Sequence, residues 1–229
     1  MLTIEKTHVF GFEDAIRGMR NPLESWDKTD TETKYMAEGM THTVIGKNDK
    51  ALMKKLADAG SDHGKFMRMI NVTCDITAPL YWWKEYDTYK VGTVANSCST
   101  MHKIQAHEFS MDMFSTEHLL NWADRTEEDR KIDDDDDGFD VFPLDALALT
   151  IDVLNSAREL YLKTNDKKYW WQMIQLLPTS YNQKRTVQLN YQVLKNIYHA
   201  RKNHKLDEWH VFCDWIKTLP ESDLITGKE

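Results

Sequence analysis

A thiol, a cation and a run of small polar groups lie close together in the sequence: Lys90, then Gly92, Thr93, Ala95, Asn96, Ser97, Cys98, Ser99 and Thr100. Small side chains leave room for backbone N–H and hydroxyl donors to approach a ligand. Cys98 adds a nucleophile, because a thiolate attacks electron-poor carbon more readily than a hydroxyl does. A second polar pair, Asn190 and Arg201, is separated by eleven positions. On one helix, at about 100° and 1.5 Å per residue, the two would share a face roughly 16 Å apart. That span suits the two ends of one extended ligand site. Each residue also has a plainer assignment. Cys98 reads equally as a buried inert thiol, Asn190 as an ordinary helix residue, Arg201 as a surface charge favoured by a helix C-terminus, and His63 as a loop histidine.

The elements that must position these groups follow from spacing. Val72, Thr73, Ile76 and Thr77 favour a strand over 66–76, and Pro79 suits the first turn of a helix running to about Lys90. LTIEKTHVF reads as a strand and FEDAIRGMR as a short helix, followed by polar, irregular sequence over 22–48. Leu52, Leu56 and Ala59 lie at helical spacing over 49–59, with Gly60 as the stop. Residues 105–115 read as a short extended piece and 116–125 as a helix capped by Thr116. Helices are expected over 143–164, 167–177, 180–203 and 206–218, the third burying Val187, Tyr191, Leu194 and Tyr198. Trp82, Tyr86 and Tyr89 repeat at i, i+4, i+7, as a core or subunit-interface face does. With Tyr81 and Trp83 they also form an aromatic group able to stack on a planar ligand. The sum is α+β: a small antiparallel or mixed sheet packed with long helices, in one domain over residues 1–229.

Composition narrows the function classes. A chain of 229 residues with 41% hydrophobic content is long enough for a sizeable core. No apolar run reaches the roughly 18–20 residues that span a bilayer, and the first residues carry charges where a signal peptide needs an apolar core. A cytoplasmic location is expected. The formal charge of −8 argues against nucleic acid as a bulk partner. Much of that charge is local, in an acidic loop over 126–140 that contains Asp133 to Asp137. Asp133, Asp135, Asp137 and Gly138 match the first half of a calcium-binding loop, but the twelfth position is Leu144 where glutamate is needed, so no metal is expected. Cys74, Cys98 and Cys213 are too few and too scattered for a disulfide framework or a zinc site.

The layout over 73–104 resembles the flavin-dependent thymidylate synthases. Their signature is R-H-R, seven residues, then S-x-R, preceded by a strand and an A-P-started helix. Aligned without gaps from Ala78-Pro79, the R-H-R positions fall on Thr88-Tyr89-Lys90, the serine on Cys98 and the last arginine on Thr100. A second block, Leu177-Pro178, Asn190 and Arg201, matches the family's L-P, N and R at the same spacing. His63 falls where the family carries a flavin-contacting histidine. Another family arginine falls on Ile174. The blocks cover roughly residues 50–104 and 172–205.

This resemblance implies reductive methylation of dUMP or a related reaction on a pyrimidine nucleotide, with FAD as cofactor and a homotetramer sharing its active sites. It implies His63, Lys90 and Asn190 near FAD, and Glu85, Asn96, Cys98, Ser99 and Arg201 around the nucleotide. Cys98 and Lys90 would be the groups placed for catalysis, since C6 of a pyrimidine accepts thiolate addition. The departures matter as much. Lysine is a point charge and does not replace a bidentate guanidinium, and each lost charged hydrogen bond costs about 1.5–3 kcal/mol. Three readings therefore stand: a diverged flavin-dependent methyltransferase of nucleotide biosynthesis, a catalytically inactive homologue that binds a nucleotide or nucleotide-like signal, and an oligomeric scaffold. A yellow purified protein favours the first, nucleotide-dependent thermal stabilisation of a colourless one the second, and neither effect the third.

Overall fold

The computed structural model describes residues 2–35, 41–121 and 142–227. The acidic loop expected over 126–140 lies outside the described residues, apart from which the α+β class is the one observed. The described elements are, in order, β1 (Thr3–Phe10), α1 (Phe12–Arg20), β2 (Glu32–Tyr35), β3 (Thr41–Val44), α2 (Lys47–Asp58), β4 (Asn71–Pro79), α3 (Leu80–Tyr86) and β5 (Val94–Ser97). They continue with α4 (Thr100–Lys103), α5 (Pro143–Thr164), α6 (Lys167–Leu176), β6 (Asn182–Asn190), α7 (Tyr191–Arg201), α8 (Asp207–Lys217) and α9 (Asp223–Thr226). One sheet has the order β1-β4-β6-β5, and β2 and β3 form a separate antiparallel pair. No described helix is long and apolar enough to cross a membrane.

The chain divides into two compact units, the larger comprising Leu2–Ile76, Glu85–Asn96 and Arg185–Glu229. In β4 the residues Val72, Cys74 and Ile76 alternate onto one face and are buried, the period of two that a strand requires. On its other face Asp75 accepts a hydrogen bond from Thr186 Oγ1 at 2.6 Å and pairs with Lys6 at 3.2 Å. Val187 and Leu189 continue the alternation in β6, and Tyr191, Leu194, Ile197 and Tyr198 bury one face of α7. The expected single helix over 180–203 is thus a strand followed by a helix. Val187, Tyr191, Leu194 and Tyr198 keep helical spacing across that junction, so the core positions of two different elements read as one amphipathic stripe.

A buried ion pair ties α1 to α2. Arg20 and Asp49 are 4% and 0% exposed, and the arginine reaches Asp49 Oδ1 through Nε at 2.7 Å and Nη2 at 2.6 Å. Asp49 Oδ2 accepts from the hydroxyls of Thr29 and Thr31 and from the N–H groups of Asp30 and Thr31. Burial raises the Asp49 carboxyl, but the bonds from Thr29, Thr31 and Arg20 outweigh it and hold the group below its ordinary value. The polar sequence over 22–48, expected to be irregular, is therefore partly ordered around one carboxylate.

The smaller unit comprises Thr77–Lys84 and Ser97–Lys184. Its core is the hairpin of α5 and α6, where Leu147, Ile151, Leu154, Ala157 and Met173 pack with Ile104, Phe109 and Phe114. Asn165, with φ 53°, reverses the chain, and Asp166 caps α6 by accepting from Lys168 N–H. Asn155 brackets the backbone of Phe109 with bonds of 2.8 and 2.9 Å, which holds the 104–114 segment against α5. That segment is turns and one helical turn rather than the extended piece expected, and residues 116–121 are not helical. α3 is shorter than expected because the Thr88 hydroxyl and N–H both bond to the Glu85 carbonyl, closing the helix as a turn.

Candidate functional site

In the larger unit the end of α3, the segment after it and both ends of α7 come together. Glu85 closes α3, and Tyr89 follows in the turn. Arg201, the last residue of α7, donates from Nε to Tyr89 Oη at 2.9 Å and from Nη1 to Glu85 Oε2 at 2.7 Å. Its guanidinium carbon lies 4.9 Å from the ring centroid of Trp209 on α8 and 5.6 Å from that of Tyr89. The two rings meet edge to face at 71°, and both lie within cation–π distance of the guanidinium. A guanidinium has five N–H donors; the remaining three of Arg201 have no partner among the described residues.

Glu85 Oε2 is the focus of the cluster. Besides Arg201 it accepts from Trp209 Nε1 at 3.0 Å, and His204 Nε2 stands 3.3 Å away. His204 Nδ1 accepts from Leu206 N–H at 3.2 Å, so in the neutral ring the proton sits on Nε2, the nitrogen nearer Glu85. Two donors and the His204 ring, from three segments, gather at one carboxylate oxygen. Arg201 and Glu85 are 19% and 34% exposed, so the cluster is half-buried and open to solvent on one side. His204 and Trp209 went unnoticed in the sequence. Nothing in their spacing marks them, because they meet Glu85 only through tertiary packing.

The other residues named from the sequence fall as follows. Asn190 is not on a helix face. It ends β6 and caps α7, its Oδ1 accepting from Val193 N–H at 3.1 Å. Its amide nitrogen lies against Gly92, where a Cβ would come within 2.9 Å of it and where φ is +78°. A glycine is needed there for both reasons. Tyr89 touches one end of α7 and Gly92 the other, so residues 89–92 run alongside that helix. Lys90 is exposed in the middle of this run. His63, just before a helical turn at Gly64–Arg68, is exposed and caps nothing. Asn96 is exposed on β5, at the edge of the four-stranded sheet.

Cys98 and Ser99 belong to the smaller unit. Ser99 is spent locally, its hydroxyl accepting from His102 N–H as the cap of α4. Cys98 is exposed, and its backbone is held by Lys184 O at 2.9 Å and Gln183 Nε2 at 2.8 Å. Its thiol has no hydrogen-bond partner among the described residues, so no base is in place to activate it. The buried-thiol reading fails for Cys98; the buried thiols are Cys74 and Cys213, which burial pushes up to about 12 and about 11. Trp82 and Tyr86 are core residues, as their spacing allowed, while Tyr89 is partly exposed beside Arg201. No group of three or more metal-ligating side chains occurs among the described residues.

No protein-family model and no curated protein sequence matches the chain. Its structure is similar to that of thymidylate synthase X from Helicobacter pylori, solved with FAD and dUMP. The TM-score is 0.65 and the identity 16%, over 99% of this chain and 97% of that one. It is also similar to the UMP/dUMP methylase PolB from Streptomyces cacaoi, solved with 5-bromo-UMP, with a TM-score of 0.61 and 13% identity over 99% and 95% of the two chains. The chain therefore has the fold of the flavin-dependent thymidylate synthases.

Proposed function

We propose that the larger unit binds a pyrimidine nucleotide of the dUMP type and that Arg201 is its main anion anchor. One observation carries this reading: the only family phosphate-position arginine kept in the sequence is held beside Tyr89 and Trp209 by a hydrogen bond and two cation–π contacts, with three N–H groups unspent. A planar fork already ordered before the ligand arrives loses little entropy on binding. Lys90 supplies a second positive charge on the segment beside α7, and the solvent-exposed Asn96 a polar contact. The two structural relatives, solved with dUMP and with a bromo-UMP, support the ligand class.

FAD fits the same residues poorly. Of His63, Lys90 and Asn190, the last already uses its carbonyl oxygen as a helix cap, and only Lys90 is always charged. A dinucleotide diphosphate needs several donors or guanidinium forks at close quarters. The positions where the family carries arginine are here Thr88, whose hydroxyl bonds to Glu85 O, together with Thr100 and Ile174. The binding reading therefore takes precedence over reductive methylation. A homo-oligomer, with a tetramer the family's form, is part of the proposal. Val91 and Val94 are 89% and 66% exposed beside and on an edge strand, a surface that association would cover. A monomer by light scattering at micromolar concentration contradicts that part.

Thermal melting tests the ligand class. At about one hundred times its Kd, dUMP should add about 2.7 kcal/mol of stability. Deoxyuridine at the same concentration should add much less. Identical shifts with both ligands, or none with either, would count against the reading.

A further inference from the structure

We infer that Glu85 is an internal anion occupying the phosphate site, and that a ligand phosphate competes with its carboxylate for Arg201, Trp209 and His204. This rests on the nucleotide reading above and adds to it a specificity-determining residue and two further phosphate contacts. The geometry is that of an anion site already filled. A guanidinium N–H and an indole N–H donate to one oxygen, Glu85 Oε2, at 2.7 and 3.0 Å, and an imidazole nitrogen lies 3.3 Å from it. Indole N–H donates only, and the His204 tautomer fixed by Leu206 also presents a donor. None of the three can stabilise a cation or a bare carbonyl carbon. They suit an oxygen bearing negative charge, which a phosphate offers as well as a carboxylate does.

Glu85 also bears on any anion that approaches the unspent N–H groups of Arg201. Its charge offsets the attraction of the arginine, so a phosphate gains full value from the fork only when Glu85 has moved away. The side chain is 34% exposed and hangs from the last turn of α3, so a rotamer change carries the carboxylate into solvent without disturbing a core. Trp209 stays in place, since it is fully buried. A dianionic phosphate displaces a monoanionic carboxylate because it brings more charge and more acceptor oxygens to the same donors. A nucleoside has nothing to offer them and leaves Glu85 where it is.

The test compares the wild-type protein with Glu85→Ala and Glu85→Gln, titrated with dUMP and with deoxyuridine. Both variants should bind dUMP about tenfold more tightly, a modest fraction of the repulsion between close charges at the protein surface. Deoxyuridine affinity should stay within about twofold. In the Glu85→Ala background, Trp209→Phe and His204→Ala should each weaken dUMP and spare deoxyuridine. Glu85→Gln keeps the shape and the acceptor oxygen, so it serves if the alanine variant does not fold. If the wild type binds dUMP and both variants bind it equally or less well, this inference falls while the nucleotide reading stands. If neither wild type nor variants bind dUMP, both fall.

Discussion

Replacing Arg201 by lysine separates a ligand anchor from a helix-end charge, because the charge is kept and the fork is lost. In the structure Arg201 bonds to Tyr89 Oη and Glu85 Oε2 and lies over the rings of Tyr89 and Trp209. Lysine can keep one of those bonds and loses the second, together with part of the cation–π contact. The cost to folding is the weakened cation–π contact, about 0.5–1 kcal/mol for each ring at partly exposed sites. The ion pair itself is half exposed and adds about 0–1 kcal/mol. The cost to a phosphate ligand is separate and larger. Losing one charged hydrogen bond removes about 1.5–3 kcal/mol, or roughly 10- to 150-fold in Kd. Calorimetric titration of both proteins with dUMP and deoxyuridine reads the second quantity, and denaturant unfolding reads the first. The expected result is a loss confined to dUMP, with stability lowered by no more than about 2 kcal/mol. Equal losses for nucleotide and nucleoside would refute the reasoning, for they would mean that Arg201 supports the fold and not the phosphate.

Four further outcomes follow from the same structure. Asp49→Ala strands the buried guanidinium of Arg20 and should cost about 3–5 kcal/mol in urea unfolding, and a loss below about 1 kcal/mol would show that the pair is dispensable. Because the folded carboxyl of Asp49 lies below its ordinary value of 3.8, its contribution is complete above that value and lost as pH falls through the lower folded one; an acid unfolding curve unchanged by Asp49→Asn would contradict this. Asn190→Ala removes the cap of α7 and should lower stability by about 1 kcal/mol, read from the same unfolding curves. Of the three cysteines, Cys98 alone should react rapidly with Ellman's reagent in the native protein, with Cys74 and Cys213 following only on unfolding; a second fast thiol would show that one of the buried sites opens.

Much of the fold was legible because its core follows local periods. α1, α2 and the α5–α6 hairpin each keep one period from end to end, and these and β1 were expected close to where they lie. The junction at Asn190 was not legible, since the apolar stripe keeps helical spacing while the backbone changes from strand to helix. Only the cap bond from Val193 marks the change. The site was half legible. Arg201, Lys90 and Glu85 are placed by aligned motifs, and the segment from Tyr89 to Gly92 does run beside α7. His204 and Trp209 have no sequence signal because their meeting with Glu85 depends on how α8 packs. Ser99 and Asn190 show why small polar residues are ambiguous in a sequence: groups that suit a ligand also suit a helix cap, and here the Ser99 hydroxyl and the Asn190 Oδ1 each serve as one.

Calorimetric titration of the wild-type protein with dUMP, followed by deoxyuridine under the same conditions, tests the central claim most directly. Saturable binding of about one dUMP per chain, with deoxyuridine at least about tenfold weaker, is the predicted result. No saturable binding of dUMP, or equal affinity for the two, would contradict a phosphate anchored on Arg201.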